Sequence, residues 1–136
     1  KLIKYVSKGI PLPFGSINNK RSYVSIYNIT DLIVKCVSHP SASNETFLVS
    51  DDQDISTKEL IIKIAKLLKS RTIVFPISVK FLLIISNFIN NKYKFQKLIN
   101  NLQVDITHTK KLLGWKPIVN MDDTLKNVLK WYIKKI

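Results

Sequence analysis

A chain of 136 residues that is 46% hydrophobic, with three glycines and five prolines, has enough apolar side chain for one ordinary core, which excludes a collagen-like or disordered chain. Its 22 Lys and Arg against nine Asp and Glu give a formal charge of +13, which raises nucleic acid or an anionic membrane surface as partners. Only Arg21 and Arg71 carry the forked guanidinium that reads phosphates and bases bidentately, and the lysines spread from Lys1 to Lys135, so the pattern argues against specific nucleic-acid binding.

The chain opens at Lys1 on an apolar-basic run, Leu2 to Val6, and its one methionine is Met121, so it reads as a fragment. Tyr23-Val24-Ser25-Ile26 has strand composition, and so do Thr46–Val49 and Thr72–Phe75. Between the first two, Ile29, Leu32, Ile33, Cys36 and Val37 follow helical spacing, with Asn28 as the expected N-cap. The single Cys36 cannot form an internal disulfide and is read as a core residue of a reduced, cytoplasmic protein. Ser56 and Glu59 form a capping-box pattern ahead of a stripe of Leu60, Ile61, Ile64, Ala65 and Leu68. The most apolar stretch, Phe81 to Ile85 with Phe88 and Ile89, is too short to span a bilayer and is expected to be a buried helix. Lys92, Lys94 and Lys97 beyond it allow peripheral membrane contact at most. Asp105 or Thr107 opens a short helix that ends at Gly114. Asn120 with Asp123 starts the last helix, whose stripe is Leu125, Val128, Leu129, Ile133 and Ile136. Strands alternating with helices give an α/β unit, an α+β-like lobe with a small sheet and several helices, too small for a complete doubly wound nucleotide fold.

Three segments in order resemble the C-terminal half of extended short-chain dehydrogenase/reductases that act on nucleotide sugars. They are Gly9-Ile10-Pro11-Leu12-Pro13-Phe14-Gly15 leading through Arg21-Ser22-Tyr23-Val24-Ser25-Ile26 to Asn28-Ile29-Thr30-Asp31-Leu32; Thr46-Phe47-Leu48-Val49-Ser50-Asp51 running into a capped helix; and Leu112-Leu113-Gly114-Trp115-Lys116-Pro117 before a closing helix with Trp131 and Tyr132. The likeness covers residues 1–136 and is greatest to the UDP-sugar 4-epimerases of bacterial polysaccharide synthesis. It implies a C-terminal substrate-binding region whose NAD-binding Rossmann domain lies outside this sequence. In the family, the segment matching Leu12-Pro13-Phe14 lies along the nucleotide base and Arg21 grips the substrate diphosphate, a task that suits a guanidinium. Lys97 stands where a second cation commonly meets the diphosphate. Asn28 is expected to cap a helix rather than touch ligand, and Asp105 likewise.

The resemblance implies NAD in the complete enzyme, a UDP-sugar partner and a homodimer of the whole protein, with no cofactor held by this chain. The family's Tyr and Lys base pair and Gly-rich loop are not placed here: the three glycines are too far apart for a dinucleotide fingerprint. Tyr93 and Lys97 have the pair's spacing but follow the substrate segments instead of preceding them. His39, His108 and Cys36 offer no zinc-type spacing, so neither a catalytic nor a metal residue is assigned. The rival reading is a stand-alone basic module for nucleic acid or an anionic membrane surface.

Overall fold

A computed structural model describes the backbone of residues 1–88 and 92–134, and the side chains of 1–84 and 96–134. The elements are α1 (Leu2–Ser7), β1 (Arg21–Ser22), α2 (Ile26–Ser38), β2 (Asp54–Ile55), α3 (Thr57–Leu67), α4 (Val79–Phe88), α5 (Lys92–Ile99), α6 (Thr107–Leu113) and α7 (Met121–Lys134). β1 and β2 pair in a two-stranded sheet. The mixed helical architecture with a small sheet agrees with the α/β class read from the sequence. The chain divides into two compact units, the first made of Lys1–Arg21, Ile55–Asn101 and Leu129–Ile136, the second of Ser22–Asp54 and Leu102–Val128.

In the first unit, Val6, Leu12, Phe14, Ile17, Ile55, Ile61, Ile64, Leu82 and Leu129 are buried. α3 starts as its sequence dictates. Ser56 Oγ accepts from Glu59 N at 3.0 Å and Glu59 Oε2 accepts from Ser56 N at 2.7 Å, a complete capping box. The bond from Ser56 N, and after it the Ser56 side chain, hold the Glu59 carboxyl below its ordinary range. The expected strand at Thr72–Phe75 is reduced to one parallel bridge, Leu12 to Val74. Leu12 N donates to Ile73 O at 2.9 Å and its carbonyl accepts from Phe75 N at 3.1 Å. Further along, Gly15 N donates to Phe75 O at 3.0 Å, and a Cβ on Gly15 would stand 2.7 Å from the Phe75 carbonyl carbon and the Pro76 nitrogen.

Asn19, 6% exposed, binds the rest of this unit together through its amide. Oδ1 accepts from Thr57 N at 2.9 Å, while Nδ2 donates to Leu98 O and Asn100 O, each at 3.1 Å. Thr57 Oγ1 also donates to Leu98 O, at 2.7 Å. One side chain thus ties the 9–21 segment to the start of α3 and the end of α5. The apolar stretch of α4 forms a helix as expected. Of its described apolar side chains, Leu82 is buried and Phe81 and Ile84 are exposed, so the helix is not buried all round. Ile89, Ile136 and the side chains of Ile85, Phe88, Lys92, Tyr93 and Lys94 lie outside the described residues.

The second unit packs Leu32, Ile106, Leu113 and Trp115 together, with Cys36, Ala42, Phe47, Val49 and Val104 against them. Cys36 therefore lies against the core, as read. The helix stripe differs from expectation. α2 begins two residues earlier than Asn28, with Ser25 as N-cap accepting from Tyr27 N at 3.3 Å. Leu32 and Cys36 turn inward, whereas Ile33 and Val37 are exposed. In α7 the buried row is Met121, Leu125 and Leu129, and Val128 and Ile133 are exposed. Tyr23–Ile26 is not a strand, because the chain enters α2 there. Thr46–Val49 keeps strand alternation, with Phe47 and Val49 packed inward and Leu48 outward, but without a ladder among the described residues.

Asn28 is a completely buried bracket and no cap. Its Oδ1 accepts from Ile118 N at 2.9 Å and Val119 N at 3.0 Å, and its Nδ2 donates to Val119 O at 2.8 Å and Asp51 Oδ1 at 2.6 Å. Asp51 Oδ1 also accepts from Ser25 N at 2.7 Å. Trp115 Nε1 donates to Asp31 Oδ2 at 2.7 Å. The remaining ends are as the sequence predicts. Gly114 closes α6 in the left-handed conformation at φ 60°. Asp105 Oδ1 accepts from Thr107 N at 2.8 Å at the start of α6, and Asn120 Oδ1 from Asp123 N at 2.9 Å at the start of α7.

Asn28→Ala should lower stability by about 2–4 kcal/mol, because it strands two backbone N–H groups and a carbonyl in partly buried positions. The check is the urea midpoint at unchanged slope; a shift below about 0.5 kcal/mol, the range of a bland surface change, would contradict the bracket. Gly15→Ala should cost about 1–3 kcal/mol in the same assay by forcing the 9–21 and 72–76 segments apart. A neutral Gly15→Ala would show that the approach is loose.

Candidate functional site

The five residues singled out from sequence, Leu12, Pro13, Phe14, Arg21 and Lys97, all belong to the first unit. Leu12 and Phe14 are buried, at 8% and 7% exposure, and Pro13 between them is half-buried. Both backbone groups of Leu12 are committed to the 73–75 segment, and Gly15 N to Phe75. A ring or amide laid along this stretch would therefore meet the Pro13 carbonyl rather than the backbone of Leu12.

Arg21 ends the same segment, where Lys20 N donates to Asn101 Oδ1 at 2.8 Å. Its Nη1 donates to two carbonyls at the C-terminus of α5, Lys97 O and, at 3.1 Å, Asn100 O. A helix C-terminus carries partial negative charge, so a guanidinium is well placed there. Both bonds leave from Nη1; Nε and Nη2 make no hydrogen bond among the described residues. The guanidinium is thus fixed on one side with donors left on the other. Arg21 and Lys97 are brought together, but through the Lys97 carbonyl. The Lys97 side chain is exposed in the last turn of α5.

Charge is strongly divided between the units. The first holds 17 of the 22 Lys and Arg and, of the nine acids, Glu59 alone; the second holds the other five cations and eight acids. Reading the lysines as spread from Lys1 to Lys135 missed this, because the first unit is assembled from three separate stretches. Summed positive charge of this order attracts polyanions before any contact forms.

The second unit carries a cleft of about 600 Å3 lined by Asp51, Asp52, Gln53, Lys110, Lys116, Pro117, Val119 and Asn120. Lys110 pairs with Asp52 across it. Asp51 Oδ2 is buried and has no hydrogen-bond partner among the described residues. Asp51, Lys116 and Pro117 lie in segments that carry the family resemblance and Asn120 reads as a helix start, but no sequence signal points to a cleft between them. Among the described residues no group of three His, Cys, Asp or Glu side chains could hold a metal ion, and no helix is long and apolar enough to cross a membrane.

The residues do not fit a dinucleotide pyrophosphate loop. Gly9 follows the end of α1 at φ 69°, Gly15 lies against Phe75 and Pro76, and Gly114 closes α6. None stands in a strand-to-helix turn, the place where a helix N-terminus takes a pyrophosphate. No chemical step through NAD follows from this chain.

No family model matches the chain. It is 43% identical over 134 residues to a UDP-glucose 4-epimerase of Vibrio cholerae, an alignment covering 98% of this chain and 41% of that protein. Its fold is similar to that of a UDP-glucose 4-epimerase from Thermotoga maritima crystallised with UDP-glucose, at TM-score 0.70 and 16% identity, over 98% of this chain and 38% of that one. It is also similar to the Bordetella bronchiseptica enzyme WbmG in complex with NAD and UDP, at TM-score 0.66 and 17% identity, again over 98% and 38%. The chain spans about two fifths of the length of these relatives. In sequence the chain is similar to part of a UDP-glucose 4-epimerase, and in fold to part of the solved epimerase structures.

Proposed function

We propose that this chain is the UDP-sugar-binding portion of an NAD-dependent nucleotide-sugar epimerase, acting with an N-terminal half that supplies NAD and the acid/base pair. The carrying observation is the anchored guanidinium of Arg21. It is one of two arginines in the chain, it is held from Nη1 by carbonyls of α5, and it keeps Nε and Nη2 for a ligand. Two phosphate oxygens match that fork, which a lysine cannot reproduce. Lys97 adds a single-point cation from the same turn of α5. The base lies along Leu12-Pro13-Phe14, where the Pro13 carbonyl accepts from the uracil imide N–H and the buried Phe14 ring supports the segment from beneath. The surplus of cations in the first unit favours a doubly charged ligand over a neutral sugar.

In this reading the chain binds and orients, and it has no turnover alone. The hydride chemistry is the cofactor's, and its loop and base lie in the N-terminal half. The lone thiol of Cys36 suits a reducing, cytoplasmic setting.

Arg21→Ala, made in a complete enzyme containing this segment, should weaken UDP-sugar binding by about 1.5–3 kcal/mol through loss of charged hydrogen bonds. Arg21→Lys should recover part of that loss and also restore one bond to the α5 carbonyls. Calorimetric titration with UDP decides the matter, with heat unfolding of each variant as a control for folding. If both variants bind UDP like the parent, Arg21 serves α5 alone and the assignment fails.

A further inference from the structure

The last turns of α7 present a surface that the sugar-nucleotide reading does not use. Lys130, Trp131, Ile133 and Lys134 line a hollow of about 460 Å3. Their spacing puts all four on one half of the helix circumference. Trp131 is 61% exposed and Ile133 59%. Ser7 Oγ lies 3.5 Å from Tyr132 OH, so α1 packs on the side of α7 opposite these four residues and leaves their face open. Glu59, the one acid of the first unit, is held in the capping box of α3.

Apolar side chains flanked by lysines fit an interface that is anionic outside and hydrocarbon beneath. Tryptophan favours that boundary, and lysine keeps its ammonium at the headgroups while its stem lies along apolar surface. Nucleic acid fits less well. Ile133 gains nothing from a phosphate backbone, and the cations of this face are all lysine, without the forked donors that read bases. We propose that this face of the first unit docks on an anionic lipid surface, with Trp131 and Ile133 entering the headgroup region and Lys130 and Lys134 meeting phosphate and carboxylate groups. The proposal is independent of UDP binding at Arg21.

The test uses the full chain with vesicles of phosphatidylcholine alone and of phosphatidylcholine mixed with phosphatidylserine, read by co-sedimentation and by quenching of tryptophan by brominated acyl chains. Binding is expected to the mixed vesicles only, to weaken as salt is raised, and to survive saturating UDP. The double variant K130E/K134E should lower partitioning about tenfold or more, since each lysine near such a surface contributes and each reversal repels. W131A should abolish the quenching; Trp115, buried in the second unit, is out of reach of the acyl chains. Four outcomes would overturn the proposal: equal affinity for neutral vesicles, K130E/K134E binding like the parent, displacement by soluble glycerophosphoserine or UDP, or binding of duplex DNA with none to vesicles.

Discussion

Two buried asparagine amides take the place of a sheet in this chain. The strands β1 and β2 contribute only two residues each, so most loop backbone must find its hydrogen bonds elsewhere, and an unmet buried N–H or carbonyl is costly. Asn19 answers for the first unit, joining the turn into α3 to the end of α5. Asn28 answers for the second, clamping 118–119 and Asp51 around the start of α2. An amide suits this work because it presents donors and an acceptor on one rigid plane. The position of Arg21 depends on the same arrangement, since Asn19 and Arg21 share the Asn100 carbonyl and grip the same turn of α5.

The division of charge sets the units apart. Seventeen cations and one acid in the first unit give it the positive field that both proposed phosphate ligands, of a nucleotide or of a lipid headgroup, would meet. Self-repulsion among so many lysines opposes compaction, and the described hydrogen bonds of Asn19, Thr57, Ser70 and Thr72 work against it. The second unit carries more acids than bases and a core around Trp115. Its Thr46–Val49 segment keeps the alternation of a strand without a ladder, and α2 leaves Ile26, Ile33, Val34 and Val37 exposed.

Much of this was legible in the sequence where the governing interactions are local. The capping box at Ser56 and Glu59, the left-handed Gly114 and the Asn120 cap depend on residues three or four apart, and each formed as read. Strand composition misled at Tyr23–Ile26, Thr46–Val49 and Thr72–Phe75, because a strand needs a partner that no local pattern supplies. Asn28 looked like a cap because it precedes an apolar stripe; its partners, Ile118 and Val119, lie some ninety residues away. The ordered set of Leu12-Pro13-Phe14, Arg21 and Gly114-Trp115 carried the family likeness correctly, although none of those segments is distinctive alone. The hold of α5 on Arg21, the cleft beside Asp51 and the exposed end of α7 arise from tertiary placement and had no sequence signal.

The central claim is that Arg21 and the segment before it receive the diphosphate and base of a UDP-sugar. A crystal structure of the complete protein with UDP tests it most directly. The account predicts a phosphate oxygen within hydrogen-bond distance of Nε or Nη2 of Arg21, with the uracil imide directed at the Pro13 carbonyl. UDP bound with its phosphates away from Arg21 and its base away from Leu12-Pro13-Phe14 would contradict it.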